Sequence, residues 1–404
     1  MLRRVSVLLL SLLVVPGLAC SGQSSKGEAA GAGGALGGAS GGSLAGGVDD
    51  GGASGGSLTG GTDAGGASGG STALPPGNAV AWTAVNTQPT IWYGTQAAAD
   101  VAANIIYYQN ADGGWPKNID MTSQATARSD TSTIDNKATT TQLLFLAKIY
   151  GATQNATYLE AFNLGLDYLF AAQYENGGWP QVAGAMDYKR HITFNDGAMT
   201  LVITLLDQIA KHDAIYSFVD EARVERAATA VQNGIDCILR CQIVRDGVKT
   251  GWCAQHDEIT LEPANARAYE LISLSGQEGA GVLSFLLSIP EPSPEIIEAV
   301  QGAVRWFNSV KLTGIEVQKV TTPMEDVIVV ENPAAAPIWA RFYQIEDDVP
   351  FFCGRDGIKK YSLAEIEVER RTGYSWYGTA PLKPLAAYRA WQLVHSPDDD
   401  ALAP

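Results

Sequence analysis

Three times along the chain a helical pattern runs into the same glycine-tryptophan turn, and this repeat restricts the fold more than any other feature. Gln109-Asn110-Ala111-Asp112-Gly113-Gly114-Trp115-Pro116 closes the first segment and Gln173-Tyr174-Glu175-Asn176-Gly177-Gly178-Trp179-Pro180 closes the second. A decayed third copy runs from Gln242 to Gly251-Trp252. The tryptophans are separated by 64 and 73 residues, the period of a helix pair. Between them the apolar spacing is helical: Tyr158, Phe162, Leu166 and Leu169 form one stripe, and Val224, Ala228, Val231, Ile235 and Ile238 another. Ser293-Pro294 supplies a capping hydroxyl and a first-turn proline ahead of Ile297, Val300 and Val304. Only residues 315–330 read as strand, broken at Pro323. The expected fold is mainly α, an (α/α) toroid built from helix pairs, with a few short strands near 315–330.

A second echo follows the first two turns. Ile134-Asp135-Asn136-Lys137-Ala138-Thr139 and Phe194-Asn195-Asp196-Gly197-Ala198-Met199 each set Asp and Asn at the start of an apolar helix, where a carboxylate caps exposed N–H groups. In a ring of helix pairs the inner helices run in one direction, so their N-termini gather at one end. Asp135 and Asp196 are then expected as neighbours although 61 residues apart. Both can also be ordinary caps.

The ends are different. Arg3 and Arg4, an apolar run from Val5 to Val15 and a small-residue exit predict an export signal over 1–20, too short to span a bilayer of about twenty residues. Cys20 after Ala19 suggests lipoprotein processing, with the preferred leucine displaced to Leu18, and a lipidated Cys20 would be a membrane tether. The expected location is secreted or on a bacterial surface, in the tethered case as an outer-membrane lipoprotein. Residues 21–75 are nearly all Gly, Ser and Ala, with GGASGGS at Gly37, Gly51 and Gly65, and read as a flexible linker. Residues 79–395 are expected to form one domain and 396–404 a disordered tail.

The net charge of −16, from 43 acidic and 27 basic residues, excludes nucleic acid as partner. An acidic polymer would need locally gathered cations. Four cysteines remain after Cys20, namely Cys237, Cys241, Cys253 and Cys353, without zinc-type spacing; packing thiols or one unassigned bridge are expected. Trp115 and Trp179 are candidates for stacking on sugars or for turn conformation, and His191 and His256 for supporting hydrogen bonds rather than catalysis.

Long motifs then occur in order: ADGGWPKN ending at Asn118, IDNKAT from Ile134, ITFNDGAM from Ile192, WCAQHD from Trp252, ARAYE from Ala266, Phe352-Cys353-Gly354-Arg355-Asp356-Gly357, and Glu369-Arg370-Arg371-Thr372-Gly373-Tyr374. In these the chain closely resembles family ten of the polysaccharide lyases, the pectate lyases of helical-toroid type, from about Trp92 to Trp391. The resemblance implies calcium-dependent β-elimination of α-1,4-polygalacturonate to 4,5-unsaturated oligogalacturonates. It implies Arg267 as the base, Asp135 as catalytic, and Asp135 and Asp196 as the acidic groups of a Ca2+ site. Lys117, Asn136, Arg341, Arg355, Arg370 and Tyr374 are implied in substrate binding, with Arg371 the alternative to Arg370.

The chemistry suits these residue types. Removing a proton beside a carboxylate piles negative charge onto a negative group, which calcium and cations offset. Calcium takes six to eight oxygens, and guanidinium groups pair with carboxylates two bonds at a time. An arginine is protonated to pH above about 12, so its use as a base requires neighbouring cations to lower that value and predicts an alkaline optimum. Two rivals remain: a toroid glycoside hydrolase with Asp135 and Asp196 as acid and base, and a non-catalytic surface pectin-binding protein.

Overall fold

The computed structural model describes residues 73–403. The export signal, Cys20 and the linker up to residue 72 lie outside the described residues. Among the described residues the helices are α1 Gln96–Tyr108, α2 Thr140–Thr153, α3 Ala156–Ala172, α4 Ala198–Ala210, α5 Glu221–Cys241, α6 Glu278–Leu286, α7 Pro294–Ser309, α8 Val368–Thr372 and α9 Leu382–His395. Consecutive helices pair as α2 with α3, α4 with α5 and α6 with α7. Across pairs, α2 meets α4 and α4 meets α6 on the inside, while α3 meets α5 and α5 meets α7 on the outside. This is the expected toroid of helix pairs.

The repeat builds the joints between pairs. Trp115, Trp179 and Trp252 are completely buried, and each indole Nε1 donates at 2.8 Å to a carbonyl of the preceding helix, on Ile105, Leu169 and Ile238. Sugar stacking by Trp115 and Trp179 is therefore excluded; they are internal wedges, each of a kind whose truncation costs about 3–5 kcal/mol. The glutamine that opens each copy spans two pairs. Gln109 donates to Gly113 and Ala161, Gln173 to Gly177 and Ala230, and Gln242 to Thr250 and Ala299, so each turn is tied to the next outer helix. Gly113 and Gly177 sit at φ near +92° and +91°. A Cβ at Gly177 would lie 1.9 Å from the Asn233 carbonyl oxygen, so both conformation and space require glycine there.

The strand reading at 315–330 appears as an antiparallel hairpin of Ile315–Val320 with Asp326–Glu331. Beyond it, a small sheet ordered Lys359–Lys360, Pro350–Cys353, Phe342–Tyr343, Leu274–Ser275 stands over the toroid. Its strands, of two to four residues, are too short to leave an alternating pattern in the sequence. Phe342, Phe351 and Phe352 of this sheet form a second core with Trp376 and Tyr269.

The expected tail differs. Residues 396–403 fold back on α9 and α7: Ala401 is buried, its N–H donates to the Tyr388 hydroxyl, and Arg305 pairs with Asp399 at 2.6 Å. Polar composition suggested disorder, but one buried alanine and one ion pair anchor the segment. All four cysteines of the domain are free, with the Cys237 and Cys241 sulfurs 3.9 Å apart on one turn of α5.

Candidate active site

The starts of the inner helices share one construction. Thr133, Thr193 and Ser275 each donate their backbone N–H to the carbonyl of the buried tryptophan of their copy, Trp115, Trp179 and Trp252. Their hydroxyls then accept the backbone N–H two residues on, from Asp135, Asn195 and Gln277. The repeat thus equates Asp135 with Asn195 and Gln277, and Asn136 with Asp196 and Glu278. Asp135 and Asp196 come from adjacent positions of the repeat, not from equivalent ones. In the first two copies the first position is buried and the second, at φ +50° in Asn136 and +51° in Asp196, turns towards solvent, whereas in the third Gln277 is exposed and Glu278 buried.

Neither aspartate caps its helix. The residues preceding α2 and α4 are Thr139 and Gly197, without side-chain caps. Asp135, 3 % exposed, instead accepts from Lys117 Nζ, Gln181 Nε2 and the Asn136 N–H. Asp196 Oδ2 accepts from Asn195 Nδ2 at 2.9 Å, while its Oδ1 lies 3.9 Å from Arg341 Nη2. Freed from capping, both carboxylates serve the space above the ring.

A cavity of about 140 Å³ collects them. Lys117, Asp135, Asn136, Asp196 and Arg267 all line it, so five of the expected residues converge there. Gln181, Tyr188, Asn195, Gln255 and Glu270 complete the wall. Arg267 stands on a tight turn in which the Glu270 N–H donates to the Arg267 carbonyl at 2.8 Å. Glu270 is almost fully buried and takes Arg267 Nε at 2.7 Å together with Nη2. The Tyr374 hydroxyl donates to Glu270 at 2.8 Å. The Tyr374 ring lies between two guanidinium groups, 4.4 Å from Arg341 and 5.8 Å from Arg267.

The remaining arginines are paired as well. Arg341 is buried against Glu278, the first residue of α6. Arg355, exposed, and Arg370, buried, share Glu369, and Arg370 also lies 4.8 Å over the Tyr269 ring that Arg267 covers from 5.0 Å. Arg371 points away to Asp326, whereas Arg370 turns to Glu369 and the Tyr269 ring. Arg355 and Arg370 do not line the cavity with the others.

The charges act on one another. The hydrogen-bonded Glu270 carboxylate pushes Arg267 well above its ordinary pKa, opposite to the lowering expected for a base. Burial pushes the Glu270 carboxyl up, but Arg267 outweighs burial and leaves it below the usual carboxylate range. Arg370, then Arg355, pull Glu369 down to about 2. Burial pushes Tyr374 far up, so it remains a neutral donor. His256 is completely buried and accepts the Cys253 N–H on Nε2 while Nδ1 faces the Leu261 carbonyl at 2.8 Å. It is structural.

Can the cavity hold calcium? Its donors are oxygens of Asp135, Asn136, Gln181, Asn195, Asp196 and Gln255, with neither thiol nor imidazole, the hard set that calcium prefers. Asp196 Oδ1 is not committed to a hydrogen bond among the described residues. The donor set fits. A second group of ligand types, His191, Asp257 and Glu258, lies apart, and its Glu258 already accepts from Arg190 at 2.8 Å and faces His191 at 2.9 Å.

Sequence reasoning passed over Glu270, Glu278 and Gln181. Glu270 lay within ARAYE and Glu278 at the third copy of the second echo, where only the Ser275 hydroxyl keeps the pattern. Trp339-Ala340-Arg341 is a fourth wedge: the Trp339 indole donates to the Phe307 carbonyl at 2.8 Å, and Arg341 follows it by two residues as Lys117 follows Trp115. That register would have linked Lys117, Gln181 and Arg341 as one layer.

Paired helices whose inner N-termini collect carboxylates, amides and arginines around an oxygen-lined cavity define a helical-toroid enzyme for acidic polysaccharide. The chain belongs to the pectic acid lyase family, which matches residues 109–385, and it is a polysaccharide lyase. It is similar to the family 10 polysaccharide lyase from Cellvibrio cellulosa, with 35% identity and a TM-score of 0.69, over 78% of this chain and 95% of that one. It is similar also to an aspartate-to-alanine mutant of that Cellvibrio cellulosa enzyme in complex with trigalacturonic acid, at 35% identity and a TM-score of 0.67, over 78% and 99% of the two chains. No curated protein matches.

Proposed function

We propose that this pectate lyase cleaves α-1,4-polygalacturonate by calcium-dependent β-elimination, with Arg267 as base. The observation that carries the reading is the convergence of Lys117, Asp135, Asn136, Asp196 and Arg267 on one cavity. The C5–H proton passes to the neutral form of Arg267, the electron pair of that bond forms the C4=C5 double bond as the C4–O bond breaks, and the departing oxygen takes a proton from water. Glu270 holds Nε and Nη2 of Arg267, which leaves Nη1 as the nitrogen to receive the proton.

Calcium dependence follows from the charge balance. Lys117, Arg267, Arg341, Arg355 and Arg370 are five cations, matched by Asp135, Asp196, Glu270, Glu278 and Glu369. The gathered cations are therefore neutralised within the protein. Calcium bound by Asp135 and Asp196, beside Asn136 and Asn195, would neutralise the uronate carboxylate as charge develops on it. Lys117 and Gln181 orient Asp135 through hydrogen bonds, and Asn195 Nδ2 holds Asp196 Oδ2.

The test is one assay of the full chain on polygalacturonate with and without chelator. Products absorbing near 235 nm, roughly where a conjugated uronate absorbs, and lost on chelation, support elimination. Reducing ends without that absorbance would establish the hydrolase reading, and calcium-promoted binding without turnover the pectin-binding one. Export with tethering through Cys20 belongs to the same proposal, since a polymer outside the cell must be met there. Mass spectrometry of a membrane fraction, with and without Cys20→Ser, tests it.

A further inference from the structure

Lys137 occupies the place in the first copy that Gly197 occupies in the second. Both have positive φ, 65° and 73°. Glycine adopts that backbone freely, whereas a lysine there is strained, and strain of this kind is retained where a side chain has work to do. Lys137 also differs from the cations around the catalytic cavity. Each of those has a carboxylate partner, whereas among the described residues Lys137 has none within ion-pair distance.

Its position is shared by two further cavities. One, of about 400 Å³, is walled by Asp196, Gln277, Glu278 and Ser284. The other, of about 680 Å³, reaches along α2 and α4 past Asn118 and Asn136. Lys137 lines both, and both fall in the size range of ligand pockets, roughly 300–1,000 Å³. Asn136 connects the larger one to the catalytic cavity and Asp196 the smaller. A chain of sugars extending from the catalytic cavity along either route passes Lys137.

We propose that Lys137 binds the carboxylate of a galacturonate residue beyond the cleaved bond, and so selects unesterified chain at a distal subsite. The inference rests on the polygalacturonate reading above. Among the described residues its ammonium is the one site cation without a carboxylate partner, and its strained backbone holds it at the junction of the two cavities.

The test uses Lys137→Gln, Lys137→Arg and Lys137→Gly in the full chain. KM for polygalacturonate is expected to rise about tenfold in Lys137→Gln and Lys137→Gly with kcat within twofold, and to stay within twofold in Lys137→Arg. The preference for unesterified over partly methyl-esterified polymer falls in parallel. Lys137→Gly, relieved of strain, should melt above the wild type, which separates lost binding from lost folding. An unchanged KM in Lys137→Gln, or a fall in kcat alone, overturns the proposal. Calorimetric binding of polygalacturonate to wild type and Lys137→Gln decides it independently of turnover. If the wild type binds but yields no unsaturated product, the lyase reading fails while the Lys137 contact is still measured; equal affinity of the two proteins overturns the contact.

Discussion

Glu270 holds Arg267 through Nε, at 2.7 Å, and Nη2, from a position that is itself 3 % exposed. The pair fixes the guanidinium plane and at the same time opposes the neutral form that a base requires. Removing the charge of Glu270 lowers the Arg267 pKa, because its largest raising cause is that hydrogen-bonded carboxylate. In Glu270→Gln the rising limb of the kcat–pH profile is expected to move to lower pH by roughly 1–3 units. The maximal kcat falls, since the amide holds the plane less firmly. Arg267→Lys should lose about 10²–10⁴-fold in kcat. An unmoved limb in Glu270→Gln would assign the titration to another group.

Asp135 and Asp196 separate calcium binding from folding. Asp196 has a side chain 48% exposed, so Asp196→Asn should keep its melting temperature while the calcium needed for half activity rises about tenfold, roughly 1.4 kcal/mol. Asp135 is buried against Lys117 and Gln181, and Asp135→Asn leaves that ammonium without its partner. The expected result is a lower melting temperature as well as a higher calcium requirement. Titration of activity with calcium beside thermal melts checks both.

Much of this was legible because repeats repeat their physics. The tryptophan wedges and glutamine ties recur with the same partners, so a strong sequence period reported a real joint. Helix stripes and the 315–330 hairpin were likewise set by local spacing. The small sheet was not, since pairing between strands this short depends on partners far along the chain. The acidic partners were missed for a related reason: motif reading singles out cations that could meet substrate, whereas Glu278 meets Arg341 across 63 residues. The occurrence of Asp and Asn in both segments hides that Asp135 and Asp196 stand at adjacent, not equivalent, places of the repeat. What the first two copies share is the backbone: a buried residue followed by one at φ near +50°.

Gly177 and Gly184 offer a controlled test of that backbone reading. Both have positive φ, +91° and +73°, but only Gly177 has a neighbour where a Cβ would stand. Gly184→Ala meets nothing within 4 Å and should cost about 1–2 kcal/mol from conformation alone. Gly177→Ala must also displace the Asn233 carbonyl of α5 and should cost about 3 kcal/mol or more. Urea unfolding of both variants measures the difference, and equal losses would mean that the turn does not pack on α5 as described.

His256 sets the acid limit of the fold. Burial holds its pKa at about 4 in the folded chain, and the unfolded value is about 6.5. Below pH 6.5 the unfolded chain binds a proton that the folded chain refuses, so stability present above 6.5 is lost progressively down to about pH 4. The shift corresponds to a loss on the order of 3 kcal/mol. Carboxylates held low by ion pairs, such as Glu270, also weaken the fold in acid, but only below their unfolded pKa near 4.3. The window between pH 6.5 and 5 therefore isolates histidine. Urea unfolding at half-unit steps should show stability falling there, with His256 itself silent to titration by NMR. A flat profile from pH 7 to 5, or a His256 ring titrating near 6.5, would show that the Cys253–His256–Leu261 network is not closed.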